Sequence, residues 1–304
     1  TLSLHDALPI YLHWPSFLYA RSGKSSAILT SFLRFIVLLA IMRMRTKKIY
    51  WTAHNLMPHE RCALPWLDVV ARHCVIAVAS KIFVHGTSAQ KVLVERFPRA
   101  KRKCIHIPHG NWIGHYRPEH TRESARAALG LPPDAFIYLF FGQCKPYKNL
   151  DGLMRTFLRQ ASSTDVLLVA GGFSDSQYLA CVREIAGNDP RIRLDAGFIP
   201  DQEVSSYLAA SDVMCVPYRE ILTSGTTMLA LGFGKPVISI NRGFLCDVVP
   251  PPVGILIEPG NEAQLAQALR TIQERPWQSD AIIRHAQQFT FEDAAGIFLK
   301  EVDA

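Results

Sequence analysis

The sequence lacks several patterns that would place it quickly in a functional class. Its 7 cysteines are dispersed without a Cys-x-x-Cys pair, which fits reduced thiols in a cytosolic protein better than a disulfide framework or a zinc site. It contains no Gly-x-x-x-x-Gly-Lys-Ser/Thr loop, no fingerprint of three spaced glycines and no His-Glu-x-x-His spacing. No basic run is interleaved with aromatic residues, so we expect no nucleic-acid partner.

Long apolar runs are also scarce, and none approaches the uninterrupted length that spans a bilayer. The nearest candidate covers residues 27–42, which are interrupted by Arg34 and followed by Arg and Lys residues between positions 43 and 48. This segment is either a helix packed in the core or a helix on an anionic membrane surface. The sequence favours the core helix, because a basic flank beside an apolar helix is common by chance.

The composition is that of a folded, moderately basic protein. With 304 residues, 49% hydrophobic and 19% charged, the chain is long enough for two α/β domains. Its net charge of +7 suits an anionic partner, for which nucleic acid, an acidic membrane and a phosphorylated substrate all qualify. Charge alone does not choose among them.

Short apolar runs alternate with helical patterns along most of the chain, which is typical of βαβ units and parallel sheets. Residues 1–9 fit no element that continues into Ile10, and the chain has no initiator Met, so we interpret them as a non-native leader. The predicted strands are 10–13, 49–53, 82–85 and 104–107, then 136–141, 166–170, 192–194, 213–216, 236–240 and 255–257.

A proline-rich stretch separates the two series of strands and indicates a linker. The predicted fold class is α/β, with two Rossmann-like doubly wound domains of which the first is incomplete. The predicted divisions are an N-terminal domain (10–117), the linker (118–135), a C-terminal domain (136–278) and closing helices (279–304).

A basic loop follows the strand at 136–141. Gly142 ends the apolar run, Lys145 and Lys148 follow at intervals of three, and Asn149 is placed to cap the next helix. Ligands bind outside the carboxyl ends of parallel strands, where helix N-termini and loop amides favour anions. The loop therefore suggests a phosphate-bearing ligand, although two solvated surface lysines would give the same pattern.

Other loops of the second series carry further candidates. Gly172 lets backbone approach a ligand closely, and Phe198 with Ile199 offers an apolar patch and amides at a strand end. Glu220 is placed to accept hydrogen bonds from a sugar or ribose hydroxyl.

The segment Ser224-Gly225-Thr226 begins a predicted helix and can present backbone N–H groups to a phosphate. A helix cap whose hydroxyl serves only its own backbone is an equal alternative.

Each of the first four strands ends at or just before a histidine. These are His13, His54, His85 and His109, and the carboxyl ends of such strands converge on one edge of a sheet. Structural roles are favoured for His13 and His85. His54 lies in an irregular polar and aromatic loop, which makes it the functional candidate.

The order of five segments resembles a known family: IPHG, FGQCKPYKN, LLVAGG, DAGFIPDQEVSSYLAASDVMCVPY and REILTSGTTMLALGFGKPVI. In series and spacing they resemble glycosyltransferases of the GT-B fold, most like family 4 and its bacterial exopolysaccharide relatives of mannosyl or glucuronosyl type. The resemblance runs from Tyr11 to Val302. It implies a nucleotide-diphosphate sugar held by the C-terminal domain, an acceptor held by the N-terminal domain, and chemistry in the cleft between them.

The resemblance also assigns roles to donor residues. Lys148 matches the lysine that contacts the donor diphosphate, while the family's arginine falls on Gln143, with Lys145 as the nearby substitute. Of the family's two glutamates, eight residues apart, Glu220 lies near the first, and the second falls on Leu229.

On the acceptor side, His54 matches the histidine near the transferred sugar. It would act as base in an inverting reaction, or position the donor in a retaining one. Glu60 is a second candidate base, and His109 and Gly110 are cleft residues.

The resemblance carries expectations about partners and location. No Asp-x-Asp motif occurs, so neither a metal nor a cofactor is expected, although several cleft histidines leave a metalloenzyme as an alternative. We expect a lipid-linked or oligosaccharide acceptor, and a cytoplasmic protein at the inner face of the membrane.

The family has about one more βαβ unit before the first strand, so we expect this chain to be impaired in transfer. A non-catalytic sugar-nucleotide-binding relative is the alternative function.

Overall fold

The computed structural model describes residues 8–19, 25–58, 62–116 and 120–303. The chain divides into two compact α/β units. Unit 1 takes the chain up to Pro108, the short segment Ile221–Thr223 and the C-terminal helix from Phe291 onward. Unit 2 takes His109–Glu220 and Ser224–Thr290.

Unit 1 is built on a parallel sheet with strand order β1-β2-β3-β4. Its strands are β1 (Ile10–Leu12), β2 (Ile49–Thr52), β3 (Lys81–His85) and β4 (Cys104–Ile107). All four predicted strands are confirmed to within a residue, because each is a short apolar run bounded by polar residues. The helices up to Pro108 are α1 (Ser25–Arg45), α2 (Pro65–Val78) and α3 (Thr87–Arg96).

Helix α1 is longer and more exposed than the core helix that the sequence favours. It has 21 residues, and an 18-residue window with mean hydropathy 2.0 makes it, by length and composition alone, long and apolar enough to cross a membrane. Only 22% of that window is buried. Ile28, Phe35 and Leu39 point into the core, so core packing accounts for one face of the helix.

Unit 2 contains a second parallel sheet, with strand order β10-β9-β8-β5-β6-β7. Its strands are β5 (Ile137–Phe141), β6 (Val166–Gly171), β7 (Ile192–Ala196), β8 (Val213–Val216), β9 (Val237–Ile240) and β10 (Gly254–Ile257). Counted from β5, this is the doubly wound order 3-2-1-4-5-6. Residues 137–140 are at most 1% exposed, as expected for a central strand covered on both faces.

A helix lies within the stretch predicted to be a linker. This is α4 (Arg122–Leu129), which begins at the N-cap Thr121 and ends at Gly130 in the left-handed conformation. Arg126 ties it to unit 2 through hydrogen bonds to the Ala210 carbonyl (2.9 Å) and the Asp212 carboxylate (2.6 Å). Unit 2 therefore begins before the predicted linker, at His109.

The remaining helices of unit 2 flank its sheet. They are α5 (Leu150–Gln160), α6 (Ser176–Ala186), α7 (Asp201–Ala210), α8 (Gly225–Gly232), α9 (Leu245–Val248), α10 (Glu262–Thr271) and α11 (Ser279–Ala286). The last helix, α12 (Phe291–Asp303), belongs to unit 1. There its Ile297, Phe298 and Val302 pack on a core that includes Tyr50 and Phe83.

Candidate functional site

The strand order of unit 2 reverses between β5 and β8. From β5 the chain moves outward through β6 and β7, then returns to β8 on the other side of β5. The crevice outside the carboxyl ends of the strands at such a point is the usual ligand site of open parallel sheets. The basic loop after β5 and the loop that begins at Pro217 after β8 both start there.

Lys148 is the best-placed cation at this point. It ends a short 3-10 helix, Pro146–Lys148, and is only 7% exposed, with Nζ 5.3 Å from the centroid of the Tyr218 ring. A Cβ placed on Gly142 would meet Lys148 Nζ at 3.7 Å and Thr226 Oγ1 at 3.9 Å, so both polar atoms border one space above Gly142.

Among the described residues, no carboxylate oxygen lies within 4.0 Å of the Lys148 ammonium. A buried charge is costly without a partner of opposite sign. The environment of Lys148 therefore favours an anionic ligand over a purely structural ion pair.

Helix α8 points its N-terminus at the same region. Ser224 is its N-cap, and Ser224 Oγ accepts hydrogen bonds from the Thr227 N–H (3.2 Å) and the Thr227 hydroxyl (3.1 Å). The Ser224 hydroxyl therefore caps its own helix, which is one of the two alternatives that the sequence left open. Gly225 and Thr226 supply first-turn N–H groups, which have no acceptor within the helix, at the end that carries about half a positive charge.

His109 and Trp112 flank the start of α8. A Cβ on Gly225 would meet His109 Cε1 at 3.8 Å and Trp112 Nε1 at 3.9 Å. His109 Nδ1 lies 2.9 Å from the Gly110 carbonyl, which can only accept, so Nδ1 carries the proton and Nε2 is an acceptor in the neutral ring. Burial lowers the pKa of His109 from its ordinary value, while the bond to Gly110 opposes this, and the neutral ring is favoured.

Arg219 links the loop after β8 to the basic loop after β5 through hydrogen bonds. Its backbone N–H donates to the Tyr147 carbonyl (2.8 Å), Nε donates to Asn149 Oδ1 (3.1 Å), and its guanidinium also donates to Asp151 (2.8 Å). Asn149 in turn donates to the Pro217 carbonyl (3.1 Å). Asn149 occupies the N-cap position of α5 but makes no capping bond with its side chain, so its predicted capping role was wrong.

The neighbouring loops approach closely enough to require glycine. A Cβ on Gly171 would overlap the Gly142 carbonyl oxygen, so a larger residue would push the two loops apart. The Gly172 carbonyl accepts a hydrogen bond from the Cys144 N–H (2.8 Å), which joins the loop after β6 to the basic loop. Phe198, after β7, is 85% exposed.

The other predicted donor residues lie on these loops. Glu220 directly follows Arg219 and is half-buried, as are Lys145 and Ile199. Gln143 is exposed, and Leu229 is 6% exposed inside α8, where an uncompensated carboxylate would be unfavourable. The donor roles of these residues stay predictions.

In unit 1, three of the four predicted histidines come together at the ends of their strands. His13 Nδ1 lies 2.9 Å from His54 Nε2, so one nitrogen donates and the other accepts, and the ring centroids of His54 and His85 are 5.6 Å apart. The Trp14 ring stacks on His54 at 4.7 Å. Burial lowers the pKa of His13, which favours its neutral form.

The sequence assigned structural roles to His13 and His85, and it gave no reason to connect Trp14 with His54. The signal for Trp14 was its position directly after a strand-ending histidine. His109, the fourth histidine, lies in unit 2 beside α8. Glu60, the second candidate base, lies outside the described residues.

A histidine metal site has no support in the described part of the chain. No group of three or more His, Cys, Asp or Glu side chains in residues 8–19, 25–58, 62–116 and 120–303 is arranged to hold a metal ion.

The family is shown by comparison with known proteins. Residues 121–289 match the family described as "Glycosyl transferases group 1", and the chain belongs to that family. It is similar in structure to Anabaena Alr3699/HepE in complex with UDP-glucose, with a TM-score of 0.75 and 18% identity over 89% of this chain and 77% of that one. It is also similar to sucrose-phosphate synthase from Thermosynechococcus elongatus, with a TM-score of 0.69 and 20% identity over 92% and 78% of the two chains. These likenesses show the GT-B fold.

Curated relatives share about a quarter of their residues with this chain. It is 24% identical to a GDP-mannose:glycolipid 4-beta-D-mannosyltransferase of Xanthomonas campestris pv. campestris, over 78% of this chain and 62% of the relative. It is 26% identical to D-inositol 3-phosphate glycosyltransferase 1 of Catenulispora acidiphila, over 78% of this chain and 60% of the relative. The chain thus spans about 60% of the length of these relatives.

Proposed function

We propose that the whole protein is a hexosyltransferase that moves a sugar from a UDP- or GDP-sugar to a lipid-linked or oligosaccharide acceptor. The observation that carries the proposal is the convergence of the Lys148 ammonium and the Thr226 hydroxyl above Gly142, at the switch point of a doubly wound sheet. Two names support it: one relative is called a GDP-mannose-dependent mannosyltransferase, and one structural neighbour holds UDP-glucose.

In this proposal the donor binds to unit 2. Lys148 and the backbone N–H groups of Gly225 and Thr226 hold the diphosphate, with Lys145 assisting. Glu220 accepts hydrogen bonds from a hydroxyl of the sugar or ribose. Positive charge and helix N-terminal N–H groups in this position stabilise the departing diphosphate, so the proposed reaction needs neither a metal ion nor a cofactor.

The remaining loops would hold the rest of the nucleotide. Phe198 and Ile199 offer apolar surface to the base, and Gly172 leaves room for backbone to approach it. Phe198 is 85% exposed, so its ring is accessible to a ligand.

His54 is the proposed catalytic residue of unit 1. As a base it would remove the proton of the acceptor hydroxyl in an inverting reaction, and in a retaining reaction it would position the donor. The 2.9 Å contact between His13 and His54 supports either role, because it fixes the His54 ring and couples its tautomer to that of His13.

A thermal-shift screen against UDP, GDP and their hexose conjugates tests the proposal. A ligand at about one hundred times its Kd stabilises the native state by about 2.7 kcal/mol, which raises Tm by several degrees. Because the chain spans about 60% of the length of its relatives, the screen should include the whole protein wherever the gene encodes a longer one. No shift of the full-length protein with any of these nucleotides would contradict the proposal.

The alternative is a sugar-nucleotide-binding relative without catalytic activity. His54→Ala distinguishes the two, because loss of transfer with unchanged donor binding requires a catalytic site. If the full-length wild type binds a nucleotide sugar but transfers nothing to any acceptor, the binding function is the correct one.

We also propose that helix α1 lies on an anionic bilayer surface. Five large apolar side chains of α1 are exposed by 40–68% at intervals of three or four residues, which places them on one helix face: Leu29, Leu33, Val37, Ile41 and Met44. The helix has no acidic residue, and Arg34, Arg43 and Arg45 are exposed. Basic residues near an anionic leaflet contribute about 1 kcal/mol each, so apolar and charge contacts act together.

Sedimentation with vesicles tests this surface. We expect the protein to sediment with phosphatidylglycerol vesicles at low salt, less so at high salt, and Leu33→Glu to remove most of the binding. Leu299→Glu, at an exposed apolar position of α12, is the control and should bind as the wild type does. Binding unaffected by Leu33→Glu, or self-association that needs no lipid, would contradict the proposal.

A further inference from the structure

A small cavity lies in unit 1 beside the His13–His54 pair. It has a volume of about 10 Å³, enough for one oxygen-sized atom. Its walls include Trp14, Ser16, Trp51, Asn55 and Arg72. Trp14 is 51% exposed, and Ser16 and Asn55 are half-buried, so the cavity reaches the surface of the unit through polar and aromatic side chains.

Two residues of this wall carry buried N–H donors that have no acceptor in the described part of the chain. Among the described residues, the buried side-chain nitrogen and oxygen atoms that lack a hydrogen-bond partner are Trp51 Nε1 and Arg72 Nε. Trp51 is fully buried and Arg72 is 5% exposed. Buried donors without partners are rare in native proteins because each loses its hydration without compensation. That both belong to the wall of one cavity indicates a common acceptor.

The charge of the wall indicates which kind of acceptor fits. The Arg72 guanidinium lies 4.7 Å from the centroid of the Trp51 ring. Asp68, on the preceding turn of α2, accepts hydrogen bonds from the Tyr19 hydroxyl (2.9 Å) and the Cys62 N–H (3.1 Å). Burial lowers the pKa of Arg72 to about 10, although Tyr19 and Asp68 oppose this, so Arg72 remains a cation at neutral pH.

We propose that this cavity takes one anionic oxygen, from a phosphate or a carboxylate of the acceptor substrate. The oxygen accepts from Trp51 Nε1 and Arg72 Nε, and the rest of the acceptor lies along Trp14 toward His54. Only the identification of the anion as part of the acceptor substrate rests on the proposed function. The anion site itself follows from the two donors, the guanidinium and the cavity.

Anion binding can be measured on the 304-residue chain without a donor or a transfer reaction. The chain has five tryptophans, whose indole N–H signals are resolved in a ¹⁵N–¹H NMR spectrum, and Trp51→Phe identifies the signal of Trp51. The probes are inorganic phosphate and acetate, titrated separately against chloride at equal ionic strength. Trp277 is an internal control, because its indole N–H already donates to the Ile272 carbonyl at 2.8 Å.

We expect the Trp51 signal to move saturably with phosphate or acetate and the Trp277 signal to stay in place. The probe that moves the Trp51 signal at the lower concentration is the anion that the site prefers. Arg72→Met should weaken the response at least about tenfold, since it removes a charge-assisted hydrogen bond. Arg96→Met is the matched control, because Arg96 also lies over a ring, that of Phe97 (5.1 Å), but is exposed.

A Trp51 signal that ignores both anions, or that moves equally with chloride, would overturn the proposal and leave the cavity to a single water molecule. If Arg72→Met does not fold, the titration of the wild type still decides. The outcome is also separable from that of the donor screen: anion binding without any nucleotide binding would reject the glycosyltransferase proposal and keep the site.

Discussion

Replacing Lys148 by Met should weaken donor binding more than any other single change in the basic loop. The side chain is 7% exposed and its ammonium borders the space above Gly142, so the contact with a diphosphate is shielded from water. A hydrogen bond to a charged group contributes about 1.5–3 kcal/mol. At about 1.4 kcal/mol per tenfold, this predicts a roughly 10- to 150-fold increase in Kd.

The assay is titration calorimetry with UDP and with GDP, after circular dichroism has shown that the variant is folded. Lys145→Ala is the comparison, because Lys145 is more accessible to water than Lys148, and a solvent-accessible ion pair contributes up to about 1 kcal/mol, or about fivefold in Kd. Equal losses in the two variants would mean that the roles are assigned wrongly. Wild-type affinity in Lys148→Met would refute the electrostatic argument itself.

Three further predictions concern stability and are measured by urea unfolding. Gly171→Ala should lower the unfolding free energy by about 1–3 kcal/mol, because its Cβ would overlap the Gly142 carbonyl, whereas Gly197→Ala meets nothing within 4 Å and should be close to neutral. Arg126→Met should cost about 1.5–3 kcal/mol, because it removes the charge-assisted hydrogen bonds to Asp212 (2.6 Å) and to the Ala210 carbonyl (2.9 Å), while Asp212 keeps Arg122 at 3.1 Å. Arg159→Met, which breaks an exposed pair, should cost less than about 1 kcal/mol. Burial lowers the pKa of His109 below 6.5, so the unfolded chain binds more protons, and stability should fall as pH drops below 6.5, with a shallower fall in His109→Gln.

Strand positions could be predicted closely from the sequence because the sheets are parallel and buried. A run such as Phe136–Phe141 is apolar on both faces, and its end is marked by a glycine that the structure holds at a φ of 93°. Helix α4 was missed because only eight residues separate Thr121 from Gly130, and proline-rich loops surround it. The sequence did contain a possible N-cap, Thr121, and a possible terminal glycine, Gly130. The residues between them show little apolar periodicity, so these two signals alone did not predict a helix.

The candidate sites divide in the same way. The ends of the strands can be located in the sequence, so it could be predicted that His13, His54 and His85 lie close together. The cavity beside them depends on the packing of α2 against β2, which brings Arg72 over Trp51, and no spacing rule connects positions so far apart. The signal in the sequence was a single arginine within an apolar helix, because a buried charge is unfavourable without a partner.

The charges around the switch point of unit 2 explain why Lys148 should matter so much in this chain. The family pattern that the sequence resembles has an arginine after the glycine, which predicts two cations for the diphosphate, whereas here the position is Gln143, which is neutral and exposed. His109 is adjacent to α8, but burial lowers its pKa, so it adds a hydrogen-bond acceptor and no charge at neutral pH. The N-terminus of α8 supplies only about half a charge. Lys148 is then the one buried full cation described at this point, and Lys145 is left to provide the rest from a half-buried position where water screens it.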